Sequence, residues 1–414
     1  MIALFIGALA MATAQDTVVL SLQESTARAT VASPAVLSAE GAVFASLGER
    51  RQSFSPFLED LSVEYERARR TSSGGTSYDS GWRLSQEVDF ASWLSRRSAA
   101  GSRLDAARAT VLDARRTAAL EARLAYLDLR LAEARATLAD SNAAFMERLA
   151  DASRRRLELG EINLLERNTA LLESSRARSE ADRLAAGADI SSANLARLLA
   201  LPGQTVIKTL PLPDLPPTID ADEGRLVALA RSRRPDLAAA LSSHAGASTA
   251  VTAAKLSNLP SLELSGFSAR EEDSDDLLGF SVSLKVPLFT WNQTEIGRAE
   301  AEQAYAEAQL AVTQRTIQAE ISAMQSLFTR ATAAERRFAS DVLVAADENV
   351  ALTDRAFAEG KVDIMQALVL RAVAVNARLE YLAVRQDAYT AWFLLAAALG
   401  VEPTNLNDPS GVGL

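Results

Sequence analysis

The chain contains no cysteine, which excludes disulfides, thiolate metal sites and an acylated N-terminal cysteine as a lipid anchor. Any membrane attachment must then come from the fold itself. The single histidine, His244, has no Cys, His or paired carboxylate at ligand spacing, so no metal site is expected there. Prolines (12) and glycines (19) are few for 414 residues, and only 6% of residues are aromatic, which disfavours an all-β fold. Basic residues (43) do not exceed acidic ones (53), giving a net charge of -10, so the basic excess that releases phosphate counterions is missing and no nucleic-acid partner is expected. No apolar run approaches the ~20 residues of a membrane-spanning helix; the best stretch, 391–399, is far shorter. Gly360-Lys361 lacks the upstream glycine of a phosphate loop, and no nucleophile elbow, zinc-protease pattern or dinucleotide fingerprint occurs. These absences argue against an enzyme: no catalytic residue, no metal and no cofactor is expected.

Ala, Leu, Arg and Glu dominate what is present, the residues that lose least on entering a helix. Residues 1–14 form a short apolar run ending Ala12-Thr13-Ala14, which fits a secretory signal, although the basic n-region is missing. Beyond it, the same order of features occurs twice, about 200 residues apart. Ser33-Pro34 answers Arg234-Pro235, Ser55-Pro56 answers Leu259-Pro260, Trp93 answers Trp291, and Leu159-Gly160 answers Glu359-Gly360. The expected organisation is a first repeat over 15–201 (helix, β-hairpin, long helix, helix), a linker over 202–224, a second repeat over 225–403 and a tail over 404–414. The linker holds five of the 12 prolines, which suits an extended, semi-rigid segment.

Each repeat's longest segment, 94–159 and 293–359, reads as an uninterrupted helix of roughly 100 Å. Apolar positions recur every seven: Leu124, Leu131, Leu138, Phe145 and Ala152 in the first; Leu310, Ile317, Met324, Ala331, Phe338, Ala345 and Leu352 in the second. A sustained heptad row places each helix along a coiled-coil seam. Helices over 17–50 and 161–199 together match the long helix in length, so each repeat is expected to supply two columns to a cylinder. Gly160 and Gly360 mark the hairpins at one end, where glycine permits the αL turn.

Residues 82–90 and 280–288 alternate apolar and polar, the period-2 signature of a two-faced sheet. Each is preceded by a less regular strand, 57–66 and 261–270, and joined to it by a polar loop, 67–80 or 271–278. Basic Arg67, Arg69 and Arg70 in one loop and acidic Glu271, Glu272, Asp273, Asp275 and Asp276 in the other suggest pairing across a pore mouth. Strands apolar outward and polar inward are what a barrel with a wet lumen requires. Four strands cannot close one, so the chain must borrow strands from its own copies, two copies giving eight and three giving twelve. A small soluble sheet packed on a helix satisfies the same pattern.

In combination, the long heptad helix, paired hairpins and duplication resemble the TolC-like outer-membrane efflux family over most of the chain. Val286-Pro287-Leu288-Phe289 followed by Asn292-Gln293-Thr294-Glu295-Ile296-Gly297 is most similar to the CzcC-like branch, which serves heavy-metal pumps, although Thr294 stands where that branch often has glycine. Leu159, Gly160, Glu161 and Ile162, and Glu359, Gly360, Lys361 and Val362, resemble the family's two hairpin tips. The resemblance implies an α+β membrane protein, a homotrimer with a twelve-stranded outer-membrane β-barrel, four strands per protomer, and a long α-helical coiled-coil tunnel in the periplasm. It further implies a periplasmic adaptor docking at the tips, an inner-membrane pump as partner, contact with outer-membrane lipid, and a constriction at Glu166 and Gln366, six residues after the tip glycines. Trp93 and Trp291, just past the strands, are expected to anchor the barrel at the membrane interface. Competing readings are a pore-free periplasmic coiled-coil scaffold and a drug-efflux or type I secretion duct of the same fold.

Overall fold

The computed structural model describes residues 17–404 except 58–59, 73–74, 203–204, 217–221, 272–274, 287–290 and 360. The expected signal at 1–14, tip residue Gly360, strand-end residues 287–288 and nearly all of the tail lie outside the described residues. Chain elements run β1 (Thr17–Leu20), α1 (Leu22–Ala32), α2 (Pro34–Gln52), β2 (Ser62–Ser72), β3 (Gly75–Val88), α3 (Trp93–Glu158), α4 (Leu164–Leu198) and β4 (Val206–Thr209). They continue through α5 (Glu223–Arg233), α6 (Pro235–Leu256), β5 (Ser261–Glu271), β6 (Asp275–Lys285) and α7 (Gln293–Arg337). A π-helical turn (Phe338–Leu343), α8 (Val344–Ala358) and α9 (Ile364–Leu399) complete the described elements. Two compact units form, one from 1–37, 114–233 and 317–414, the other from 38–113 and 234–316.

The expected helix over 17–50 divides at Pro34, and its first four residues are strand β1. Proline has no N–H to donate and crowds the preceding turn, so α1 ends and Pro34 begins α2. Pro235 does the same between α5 and α6. Ser21 caps α1 in a capping box with Glu24. The linker is more than a spacer: β4, inside it, pairs in parallel with β1. In this first unit Leu20, Ala122, Leu129, Leu195, Leu199 and Ile207 form a core around Tyr126. Tyr389, Trp392 and Phe393 of α9 are also buried, and the Tyr389 hydroxyl donates to the Pro213 carbonyl at 2.6 Å.

The long helix α3 is continuous over 66 residues. Its counterpart covers 293–358 but is interrupted by the π-turn of 6 residues. A π-turn absorbs an extra residue relative to α geometry. Ile317 of the expected heptad row is buried, but further along the buried positions are Thr332, Ala346 and Thr353, while Leu352 is 60% exposed. The row expected through Ala331, Ala345 and Leu352 is therefore displaced by one residue already ahead of the π-turn, and keeps its seven-residue spacing across it.

In the second unit, the strands lie in the order β2-β3-β5-β6, all neighbours antiparallel, so the β3–β5 pairing joins two hairpins into one sheet. The expected loops shrink sharply. Residues 67–72 pair with 75–80, and Arg270 and Glu271 pair with Asp276 and Asp275. Polar side chains hid these pairs because ladder bonds are made by the backbone, which continues from the turn whatever the side chains are. Conversely, of the described residues in 57–61, Phe57 makes only an isolated bridge to Val88 and 60–61 are not strand, and β6 stops at Lys285 before Pro287, which has no ladder donor.

Candidate functional site

Register places side chains on the sheet in rows. On one face, from the helix end outward, the rows read Val88–Leu262–Leu284, Gln86–Leu264–Val282, Val63–Leu84–Gly266–Phe280 and Tyr65–Trp82–Ser268–Leu278. This face is apolar and exposed: Phe280 is 85% and Leu278 88% accessible. Tyr65 and Trp82 meet in a tilted contact with ring centroids 4.8 Å apart, an aromatic pair at the outer end of the apolar band.

The opposite face carries charge. Lys285 Nζ lies 2.6 Å from Glu87 and 3.0 Å from Glu263, the Ser261 hydroxyl donates to Glu87 at 2.6 Å, and the Ser265 and Ser281 hydroxyls are 2.7 Å apart. Arg70 pairs with Asp79 at 3.0 Å. Phe267 is an exception: its ring lies over Gly279, where an added Cβ would come within 2.6 Å of it. Strands of 11 to 14 residues, about 3.4 Å per residue, are long enough to cross an apolar band about 25 Å tall when tilted. Among the described residues, the outer edges of β2 and β6 have no strand partner. Among the described residues, opposite charges pair within each hairpin, Arg70 with Asp79 and Arg270 with Asp276.

At the sheet's helix end, the indole N–H of Trp93 donates to the Ser53 carbonyl at 3.1 Å, so this ring fastens the start of α3 to the residue after α2. Trp291 is 63% exposed just before α7. In sequence Trp93 follows β3 by five residues and Trp291 follows β6 by six.

The helix-hairpin tips lie in the first unit. Gly160 adopts φ +74, its N–H donates to Leu157, and the Glu161 N–H donates to the Arg156 carbonyl at 2.8 Å, a Schellman ending. In the second tip the Lys361 N–H donates to the Ala356 carbonyl, also 2.8 Å. Asn163 then caps α4 and Asp363 caps α9, accepting from the N–H groups of Glu166 (2.9 Å) and Gln366 (2.7 Å). The side chains of Glu166 and Gln366 reach back, Glu166 accepting from the Asn163 amide at 2.8 Å and Gln366 from the Asp363 N–H at 3.3 Å. Both residues thus complete helix caps. Asn-x-x-Glu and Asp-x-x-Gln carry this spacing in the sequence.

Phe145, Met146, Leu149, Ala170, Ile364, Ala367 and Leu368 form a core beneath the tips, and Ile162 and Val362 pack against it. Leu159, Glu161, Glu359 and Lys361 stay exposed. Arg371 is buried beside this core, its guanidinium 4.6 Å from the Phe145 ring centre and 3.4 Å from Asp354. Burial pulls its pKa below the ordinary arginine value and Asp354 opposes that pull. Among the described residues no helix is long and apolar enough to cross a membrane, and no three His, Cys, Asp or Glu groups gather as a metal site.

No curated protein matches the chain. Residues 226–401, spanning α5 to α9, match the family described as outer membrane efflux protein. A membrane protein from Pseudomonas aeruginosa is similar with TM-score 0.77 at 18% identity, over 92% of this chain and 90% of that one. The outer membrane protein VceC from Vibrio cholerae gives TM-score 0.76 at 19% identity, over 92% and 96%. The open state of the MtrE outer membrane channel of Neisseria gonorrhoeae gives 0.73 at 17%, over 92% and 89%. Across most of its length the chain has the fold of these proteins, and residues 226–401 carry the sequence signature of the outer membrane efflux protein family.

Proposed function

We propose that this chain is the outer-membrane channel of a tripartite efflux system, a passive, non-enzymatic duct from periplasm to exterior. The observation that carries this reading is the sheet: one apolar exposed face, one charged face and two open edges. Open edges cannot face hydrocarbon, because each unpaired backbone group there costs several kcal/mol. The edges are therefore closed by other copies, and the family resemblance selects three, giving a twelve-stranded barrel. Trp93 and Trp291 would mark its inner rim and the helices would form a periplasmic tunnel.

The finer parts of the proposal concern the tips. Leu159, Gly160, Glu161 and Ile162, with Glu359, Gly360, Lys361 and Val362, would present two kinds of groove to a periplasmic adaptor, which couples the duct to an inner-membrane pump. Glu166, with Gln366 beside it, would place one carboxylate per copy at the tunnel end, a ring that favours cations over anions. Heavy-metal cations are the cargo this reading names. The test is a deletion strain complemented with wild type or Gly160→Val, scored for survival on zinc, cadmium, cobalt and a panel of drugs. Valine disfavours the αL turn by about 1–2 kcal/mol, so export should fall while membrane insertion and oligomerisation persist. Full export by the variant would remove this tip from the mechanism, and sensitivity confined to drugs would replace metal cations as cargo. A pore-free scaffold predicts a chain soluble without detergent and no conductance in planar bilayers.

A further inference from the structure

The apolar face of the sheet ends abruptly. The row directly beyond Tyr65–Trp82–Ser268–Leu278 reads Arg67–Ser80–Arg270–Asp276, and the next pairs Arg69 with Tyr78. Three arginines therefore stand on the same face as the leucines and aromatics, at the hairpin end. Arg270 is neutralised by Asp276 at 2.9 Å. Arg67 and Arg69 make no ion pair among the described residues, and both are exposed. Arg67 lies 5.0 Å over the Tyr78 ring, which holds its guanidinium against the sheet. Arg70, on the other face, is already paired with Asp79.

Geometry sets the level of this pair. Rows on one face are two residues, about 7 Å, apart along the strand, so Arg67 lies about 27 Å from the first apolar row. At the usual barrel tilt that is roughly 20 Å of height, close to the outer boundary of an apolar band about 25 Å tall. An arginine side chain can extend the remaining distance with its stem on apolar surface and its head among polar groups. Arg67 and Arg69, two residues apart, can bracket one phosphate with forked donors, and the Ser80 and Tyr78 hydroxyls stand beside them.

We infer that Arg67 and Arg69, with Tyr78 and Ser80, form a binding site on the barrel's outer wall for the phosphate group of a phosphorylated glycolipid in the outer leaflet. The inference rests on the outer-membrane reading above, which orients the hairpin ends outward. Charge complementarity selects the occupant: two unpaired cations sit at headgroup height directly above an apolar wall that accommodates acyl chains.

The test uses the detergent-purified full chain, with bound lipid counted per chain by native mass spectrometry. The probes are bis-phosphorylated lipid A, dephosphorylated lipid A, phosphatidylglycerol and inorganic phosphate. Bis-phosphorylated lipid A should bind wild type, and Arg67→Gln/Arg69→Gln should weaken it about tenfold, as expected for losing two charge-assisted contacts. Arg70→Gln, on the opposite face, should leave it unchanged, and Arg67→Lys/Arg69→Lys should retain most of it. Undiminished binding in the glutamine double variant, or equal loss in Arg70→Gln, would overturn the site. Equal binding of phosphatidylglycerol or dephosphorylated lipid A, or ready displacement by inorganic phosphate, would overturn the glycolipid assignment. Planar-bilayer conductance of the same proteins separates the two readings. Conducting channels with arginine-independent lipid binding defeat this inference alone, whereas silent proteins with arginine-dependent binding defeat the duct alone.

Discussion

Tyr126 is fully buried in α3, and its hydroxyl lies 2.9 Å from the Leu20 carbonyl and 2.9 Å from the Leu210 carbonyl, at the ends of the paired strands β1 and β4. Replacing it with phenylalanine removes the hydroxyl donor shared by the two carbonyls, of which Leu20 keeps the Leu210 N–H at 3.1 Å, and the expected cost is about 1–2 kcal/mol at neutral pH, read as a lower melting temperature of the detergent-solubilised protein. Burial pushes the Tyr126 phenol up to about 12. Its folded-state pKa is thus raised above the ordinary value of about 10, so its contribution is intact below pH 10 and is lost as pH climbs toward 12. The wild-type melting temperature should fall more steeply than that of Tyr126→Phe across this window; parallel curves would show that Tyr126 does not titrate with unfolding. At this scale the caps at Asn163 and Asp363 carry a capping spacing in the sequence, although they were not among the expectations drawn from it. The partners of Tyr126 and Trp93 were not legible there, because Leu20, Leu210 and Ser53 are brought to them by the fold from distant positions in the chain.

Among elements, the two long helices were legible as periods and lengths, and the π-turn was not. Neither glycine nor proline marks 338–343, so nothing in the sequence announces the extra residue. Because the π-turn already holds that residue, deleting exposed Ser340 should convert it to α-helix and keep the downstream face turned inward, changing stability by less than ~1 kcal/mol. Deleting the corresponding Asp140 from continuous α3 should instead rotate Phe145, Met146 and Leu149 by about 100° and collapse the core beneath the tips. Thermal melts of the two deletions decide it: equal destabilisation would mean that the π-turn does not absorb the deleted residue. The strands taught a similar lesson. Alternation located the apolar stretches of β3 and β6 correctly, yet the polar ends of all four strands looked like loops, since side-chain pattern reports burial and the ladder depends only on backbone.

On the scale of the whole molecule, the open edges of β2 and β6 make a prediction that the lack of cysteine renders clean. Single cysteines placed in pairs, one in β2 and one in β6, can join only where Cα atoms approach within about 4.4–6.8 Å. If the edges close against neighbouring copies, oxidation in the membrane should yield covalent products up to three chains and none larger. A scan with no intermolecular product would refute edge-to-edge closure. What the sequence by itself determined was local and repetitive: helix-rich composition, the duplicated order of features, the long helices, the two-faced strands and the turn at Gly160. Each follows from a periodicity of 3.6 or 2, or from a residue's own dihedral limits, and needs no knowledge of distant partners. The tertiary structure decided the β3–β5 pairing that makes two hairpins one sheet, the return of β4 to β1, and the one-residue shift of the buried row in the second long helix. It also decided the row that sets Arg67 and Arg69 above an apolar wall. These depend on register between segments far apart in the chain, and register is chosen by the summed packing of whole elements rather than by any residue's neighbours in sequence.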